Sequence, residues 1–412
     1  MIAQTIDVYI NRFSETDKKI NAAVNKNTGI IVVIPCYIEP DLIRSLQSLN
    51  NATPPPCRVE VITVINAAQN STHEVKAQNS KTLLESEYWV KTHQKNFIDF
   101  YFINENNLPA KHAGVGLARK IGMDEAVRRF KEINCNGIIT CFDADCTCSE
   151  NYFTALYESY RKHNWYGCSI YFEHPLEGKE YSSDIYHAIC LYELFLRYYR
   201  QMLKYCGLPF AYHTIGSAMA VSCEAYCKQG GMNKRKAGED FYFLNKIIPL
   251  GNFFELNDCC VYPSPRTSNR VPFGTGKAVN DILNNKQQNT YNPLIFYQIK
   301  LFISQLNVLY QSGFEAINIQ PEIKEYLLTC NITDALAEIK NNISNYESFQ
   351  KRFFNWFDAF RVLKCVHYLR DNFFNDIPVK VASTMLLDKL SVNYNSYKEK
   401  DLLKLYRKLD SK

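Results

Sequence analysis

Two aspartates one residue apart, Asp143 and Asp145, close an apolar run in the segment IITCFDAD, residues 138–145. The run reads as a buried strand. Side chains alternate along an extended chain, so both carboxylates are expected on the same side at the strand's carboxyl end. Open α/β sheets bind ligands at that end. Hard anionic oxygens there suit Mg²⁺ or Mn²⁺, with phosphate oxygens completing the coordination. A cation so held neutralises charge on a departing diphosphate. The plainer reading is a pair of loop carboxylates capping a helix that starts near Ser149. Arg266 and Arg270, in SPRTSNRVPFGTG, follow a later expected strand. A loop there would bring two guanidinium groups over a diphosphate, unless it is only a solvated turn.

Such residues need a sheet to position them. Ile30–Ile34 (IIVVI) is a β-branched run of the kind found in strands buried on both faces. A helix is expected over Asp41–Leu49, with Leu42, Leu46 and Leu49 at helical spacing and Pro40 at its first turn. Pro54–Pro56 breaks the chain before a second strand at Val59–Ile65, and Phe97–Ile103 reads as a third. The glycine-containing loop Lys111–Gly116 leads into a helix over Val115–Phe130, and a fourth strand follows at Gly137–Phe142. Alternating strands and helices imply right-handed crossovers and an α/β class with a mostly parallel twisted sheet. Beyond about residue 280 the pattern becomes helical, over Ile295–Tyr310 and Phe349–Leu369. The polar stretch 280–289 reads as a boundary. The expected division is a helical extension over 1–28, an α/β domain over 29–280 and a helical region over 281–412.

With 412 residues the chain exceeds a single core of about 250–300, so two regions are expected. A net charge of +5 from 47 basic and 42 acidic side chains is too balanced to argue a nucleic-acid partner. The 15 cysteines are odd in number, and Met1–Lys19 lacks the apolar core of a secretory leader, so reduced thiols and a cytoplasmic setting are expected. The apolar run Ile30–Ile38, interrupted by Pro35, falls short of the roughly 20 residues of a membrane span.

Four segments, Ile31–Leu49, Ala118–Ala126, Phe142–Asp145 and Gly216–Leu244 with GED at Gly238–Asp240, together resemble glycosyltransferase family 2, in that family's order. The resemblance runs from about Gly29 to Asn280. It implies a GT-A fold, with a nucleotide-binding α/β half, an acceptor half and a nucleoside diphosphate sugar as donor. On the family pattern Pro35, Tyr37 and Glu39 lie where nucleobase and ribose are contacted. Asn66 stands where the family often has an acidic residue for base recognition. Arg119 matches the Arg of an Ala-Arg-Asn motif, with Lys120 replacing the Asn, and would meet the diphosphate. Asp143 and Asp145 correspond to the Asp-X-Asp motif, Asp145 as metal ligand and Asp143 shared between ribose and metal. Asp240, after Glu239, matches the general base of inverting members, against a plainer role for both as helix N-terminal charges. No histidine occurs between His213 and His367 to serve as a further metal ligand.

Other signals carry less. Gly114-Val115-Gly116 lacks the third glycine of a dinucleotide fingerprint, and Gly274-Thr275-Gly276-Lys277 lacks parts of a P-loop. Cys135, Cys141, Cys146 and Cys148 do not repeat the paired spacing of a zinc site. The Phe- and Arg-rich stretch Phe353–Arg370 reads as a packed stripe, with peripheral contact at the inner face of a membrane as its rival and a lipid-linked acceptor as the implication. A carbohydrate or small-molecule acceptor is equally compatible. Two other function classes stay in view: a non-catalytic nucleotide- or sugar-binding protein, and a sugar-phosphate nucleotidyltransferase. The latter would show a basic, glycine-rich loop where this chain has CYIEP.

Overall fold

A computed structural model describes residues 2–15, 17–268, 274–396 and 398–411. After α1 (Ile2–Arg12) the chain enters β1 (Thr28–Cys36), whose β-branched centre is fully buried. It then alternates: α2 (Leu42–Asn51), β2 (Arg58–Ala68), α3 (His73–His93), β3 (Ile98–Leu108), α4 (Val115–Glu132) and β4 (Ile138–Cys141). The short β5 (Thr147–Cys148), α5 (Tyr152–His163) and β6 (Gly167–Phe172) follow, then the long α6 (Ser183–Tyr205). The chain continues with β7 (Met219–Ser222), α7 (Cys223–Lys228), α8 (Glu239–Ile247), β8 (Phe253–Tyr262) and α9 (Thr275–Asn285).

The sheet has eight strands in the order β3-β2-β1-β4-β7-β6-β8-β5. Strands β3, β2, β1 and β4 are mutually parallel, and β7 joins antiparallel to both β4 and β6. This is the expected α/β class, a mostly parallel sheet flanked by helices. Strand order reverses beside β1: β2 and β3 extend to one side and β4 lies on the other. The carboxyl ends of β1 and β4 therefore flank a topological switch point, where a ligand crevice opens in such sheets.

Helix α4 lies tightly on this sheet. A Cβ at Gly122 would sit 2.5 Å from Val33 Cγ1 and 3.1 Å from Val64 Cγ2, so only glycine permits the approach. The other side of α4 is covered by the amino-terminal segment, which is why its charged residues are interior. Asp124 accepts from Tyr9 Oη (2.5 Å), Tyr226 Oη (2.7 Å) and the Glu15 N–H (2.9 Å). Glu125 accepts from the N–H groups of Lys19 and Ile20, and Arg129 grips Glu60 with two nitrogens while donating to the Ala22 carbonyl. Buried charges are tolerated when every one is paired in this way.

The chain divides into two compact units: Met1–Pro175 with Thr214–Lys277, and Leu176–His213 with Ala278–Lys412. The second contains α6 together with β9 (Asn289–Thr290), α10 (Pro293–Ser304), α11 (Leu306–Ser312), α12 (Pro321–Thr329), α13 (Ile332–Lys340), α14 (Tyr346–Trp356), α15 (Ala359–Asn372), β10 (Ile377–Pro378), α16 (Val379–Lys389) and α17 (Glu399–Asp410). Each long helix expected here is two. One breaks at Gln305, and the other at Phe357-Asp358, where the Asp358 side chain accepts from the Arg361 N–H and caps a new helix. Phe349, Phe353 and Phe357 are fully buried, so the aromatic stripe packs within its own unit. Inside this unit α17 locks onto α6 through buried ion pairs, Asp410 with Arg197 and Arg200 at 2.6 Å each and Arg407 with Glu193 at 2.8 Å. Among the described residues no helix is long and apolar enough to cross a membrane.

Candidate active site

Strand β4 ends at Cys141, and Asp143–Cys146 forms a turn in which the Cys146 N–H donates to the Asp143 carbonyl at 3.1 Å. Strand alternation therefore does not pair the two aspartates; the turn does. Carboxylate oxygens of Asp143 and Asp145 and the Cys146 sulfur lie within 4.8 Å of one another. Burial pushes the Cys146 thiol well above its ordinary pKa, followed by the repulsion of Asp145 and Asp143, so it sits there as a neutral group. The turn does not cap the next helix, since α5 begins at Tyr152 after Asn151.

The turn is held from behind by residues with no motif to flag them. Ser45 Oγ on α2 lies 2.8 Å from the Ala144 carbonyl and 2.7 Å from the Cys146 carbonyl, and Ser48 Oγ accepts from the Cys148 N–H at 2.9 Å. In sequence these are two ordinary serines on a helix. Their only signal is position: α2 follows β1, so its buried face must lie beside the neighbouring β4 end.

Each aspartate of the pair meets an arginine. Arg119, on α4 and 2% exposed, donates through Nη2 to Asp143 and through Nη1 to Glu239 at the start of α8. Gly216 makes this possible, because a Cβ there would collide with both terminal guanidinium nitrogens. Burial disfavours the Arg119 charge, but Asp143 and Glu239 outweigh that and hold its pKa above the ordinary value. Arg119 is thus an internal brace between two carboxylates. Neighbouring Lys120 is turned away, its Nζ donating to Tyr9 Oη at 2.9 Å.

Helix α8 starts after Gly238, which adopts a left-handed conformation at φ 68°. Glu239 is 3% exposed, and burial pushes its carboxyl up to about 7 despite Arg119, with Asp240 and Asp143 adding to the rise. Burial also raises the pKa of the partly buried Asp240, against the lowering effect of Arg119 and of backbone N–H groups from Phe241 (2.8 Å) and Gly216. Helix N-terminal placement and membership of a carboxylate cluster therefore hold together for both residues.

The loop after β1 supplies the remaining carboxylate. Pro35 and Tyr37 are half-buried at the end of β1, while Glu39 is 1% exposed. Glu39 is clasped by both terminal nitrogens of Arg266, Nη1 to Oε1 at 2.9 Å and Nη2 to Oε2, and Arg266 Nη2 also reaches Asp145 Oδ2 at 2.9 Å. Ile38 between them adopts φ 49°, a left-handed conformation that a β-branched side chain rarely accepts. Asn79 on α3 fixes it: its Oδ1 accepts from the Ile38 N–H at 3.0 Å, and its Nδ2 donates to the Asn66 carbonyl at 2.9 Å. Asn66 is 3% exposed, and its amide donates to the Cys36 carbonyl at 3.0 Å, tying β2 to β1. Arg270 lies outside the described residues.

The structure therefore gathers Glu39, Arg119, Asp143, Asp145, Glu239, Asp240 and Arg266 around the carboxyl ends of β1 and β4, with Pro35 and Tyr37 on the same loop as Glu39. A compact group of carboxylates alternating with guanidinium groups can hold a cation, receive a proton and exchange counter-charges with an anionic ligand.

Residues 31–226 match the model of glycosyl transferase family 2. No curated protein matches the chain. Similar solved structures include residues 1–349 of TarS from S. aureus in complex with UDP-GlcNAc, at 13% identity over 92% of each chain with a TM-score of 0.40. The same TarS fragment with UDP gives 13% identity over 93% of this chain and 88% of that one, at 0.39. GalNAc-T7 with UDP, GalNAc and Mn²⁺ gives 14% identity over 84% and 61%, at 0.38.

Proposed function

From a chain whose residues 31–226 fall in glycosyl transferase family 2, we propose a transferase that moves a sugar from a nucleoside diphosphate sugar to an acceptor hydroxyl with inversion, assisted by a divalent cation. The observation that carries this reading is the bridge through Arg119. It joins Asp143, after β4, to Glu239, the residue before Asp240, so the Asp-X-Asp and Glu-Asp elements meet at one switch point.

The donor set fits a hard divalent ion. Two carboxylates with oxygens within 4.8 Å of one another already draw cationic groups, and the one sulfur among them is a neutral thiol. Asp145 and the Asp143 oxygen not engaged by Arg119 would hold Mg²⁺ or Mn²⁺, which when bound supplies a Lewis acid for the leaving diphosphate.

The chain's own residues divide the remaining work. Asp240 accepts the proton of the acceptor hydroxyl as that oxygen attacks the anomeric carbon and the bond to the diphosphate breaks. Its raised pKa suits this role near neutrality, because a stronger base takes the proton more readily. Glu239 and Arg119 hold Asp240's helix start against the Asp143 turn and so fix the two ends of the reaction relative to each other. Pro35 and Tyr37 line the nucleotide side, and Arg266 lies within reach of a diphosphate beside Asp145. Asn66 acts behind this surface by tying β2 to β1.

The test is release of nucleoside diphosphate from a panel of UDP- and GDP-sugars with Mn²⁺, in the wild type and in Asp145→Asn. Turnover that requires Mn²⁺ and disappears in the variant is expected. Nucleotide binding without any turnover and indifferent to Mn²⁺ would instead identify a binding protein.

A further inference from the structure

The two arginines that neutralise the Asp-X-Asp pair differ in what holds them. Arg119 has a side chain 3% exposed, is wedged against Gly216 and bridges Asp143 to the equally buried Glu239. It has no room to leave. Arg266 is 24% exposed on the irregular segment after β8, and Asp145 is 28% exposed. Its fork is anchored on Glu39, which is 1% exposed, takes both terminal nitrogens of Arg266 and also accepts from the Asp41 N–H at 3.2 Å, so the anchor is a buried charge pair that is costly to break. The contact to Asp145 is a second contact of the same Nη2 that already serves Glu39. Breaking it leaves the anchor intact, whereas breaking the anchor does not come cheaply.

We infer that Arg266 is a tethered counter-cation on Asp145, which an incoming divalent ion displaces while the guanidinium stays fastened to Glu39. The inference rests on the metal-assisted reading above and assigns Glu39 a positioning role. A tethered charge competes at every encounter, so a metal alone binds weakly. A diphosphate arriving with the metal gives the freed edge of Arg266 a new anionic partner, so metal and nucleotide strengthen each other's binding by the same factor. The guanidinium is present in both states, and the divalent ion and the doubly charged diphosphate of a nucleotide-sugar enter together, so the net charge near Asp145 is unchanged.

The experiment is titration of the full chain with Mn²⁺ alone, reading free Mn²⁺ by electron paramagnetic resonance. Wild type is compared with Arg266→Gln, the Glu39→Gln/Arg266→Gln double variant and Asp145→Asn. Both variants lacking Arg266 are expected to bind Mn²⁺ about fivefold more tightly than wild type, the effect of removing a part-exposed ion pair at the strong end of its range. Asp145→Asn should lose the site. Unchanged or weaker Mn²⁺ binding on removal of Arg266, with the site still lost in Asp145→Asn, overturns the displacement while leaving the metal site standing. A gain in Arg266→Gln that vanishes in the double variant also overturns it, because the uncovered Glu39 would then be acting as an extra ligand. Absence of Mn²⁺ binding in every variant overturns both this inference and the metal-assisted reading. The double variant leaves no bare buried charge, so it answers the question if the single one does not fold.

Discussion

Replacing Arg119 with glutamine removes the guanidinium from between Asp143 and Glu239 and leaves two carboxylates facing each other across the gap. Their environments differ. Asp143 is 38% exposed and recovers most of its lost partner from water, whereas Glu239 is 3% exposed and does not. Removing one partner of a buried pair costs about 3–5 kcal/mol, and the hydration of Asp143 puts this case at the lower end, about 3 kcal/mol. The cost depends on pH in a definite direction. Glu239 holds its proton more tightly in the folded chain than in the unfolded one, at about 7 against an ordinary 4.5, so folding stability declines as pH rises through that window. Without Arg119 the proton is held more tightly still. At pH 5 a protonated Glu239 needs no counter-ion and the substitution should cost under about 1.5 kcal/mol; at pH 8 the full ~3 kcal/mol should appear. Urea unfolding of both proteins at the two pH values measures this directly. A loss that is equal at pH 5 and pH 8, or larger at pH 5, would refute the brace.

Asp240→Asn is expected to lower kcat by about 10²–10⁴-fold while Mn²⁺ binding persists, since it removes a proton acceptor and not a ligand; loss of metal affinity in step with kcat would contradict that role. Because burial raises the Asp240 pKa, the wild-type rate should begin to fall on acidification at a higher pH than an unburied aspartate would give, and a kcat profile that falls only where an ordinary aspartate protonates would count against it. Ser45→Ala removes the hydroxyl 2.7–2.8 Å from two carbonyls of the Asp143–Cys146 turn, with an expected loss of about 1–2 kcal/mol in urea unfolding and weaker Mn²⁺ binding. Unchanged values for both would show that the turn holds its own shape.

The strands and helices of the first unit were legible because their apolar runs are strongly patterned: IIVVI, VEVITVI and FIDFYFI became β1, β2 and β3. So was the position of the acidic pair at the end of β4, although its geometry came from a turn that no periodicity announces. What stayed hidden was partner choice. Arg119 and Arg266 both read as cations for a diphosphate, and nothing in a linear sequence says that one is walled in by Gly216 and Glu239 while the other clasps Glu39. The family pattern alone puts Asn66 beside the base, and that its amide donates to the Cys36 carbonyl of the neighbouring strand is a contact no sequence pattern announces. In the second unit, apolar spacing of three and four residues ran unbroken through Gln305 and Asp358, and at Asp358 the helix break depended on a local cap rather than on the apolar pattern.

Helix α4 gives the region its true edges. The segment matching the family starts at residue 31, but Asp124, Glu125 and Arg129 on α4 find their partners in Tyr9, Glu15, Lys19, Ile20 and Ala22. A fragment cut to the matching residues would open one whole side of the helix that carries Arg119, set water against three ionised groups, and drop Glu239 and Asp240 as well. Homology and autonomy have different borders here: the shared motif stops well inside the smallest piece that can hold it in shape.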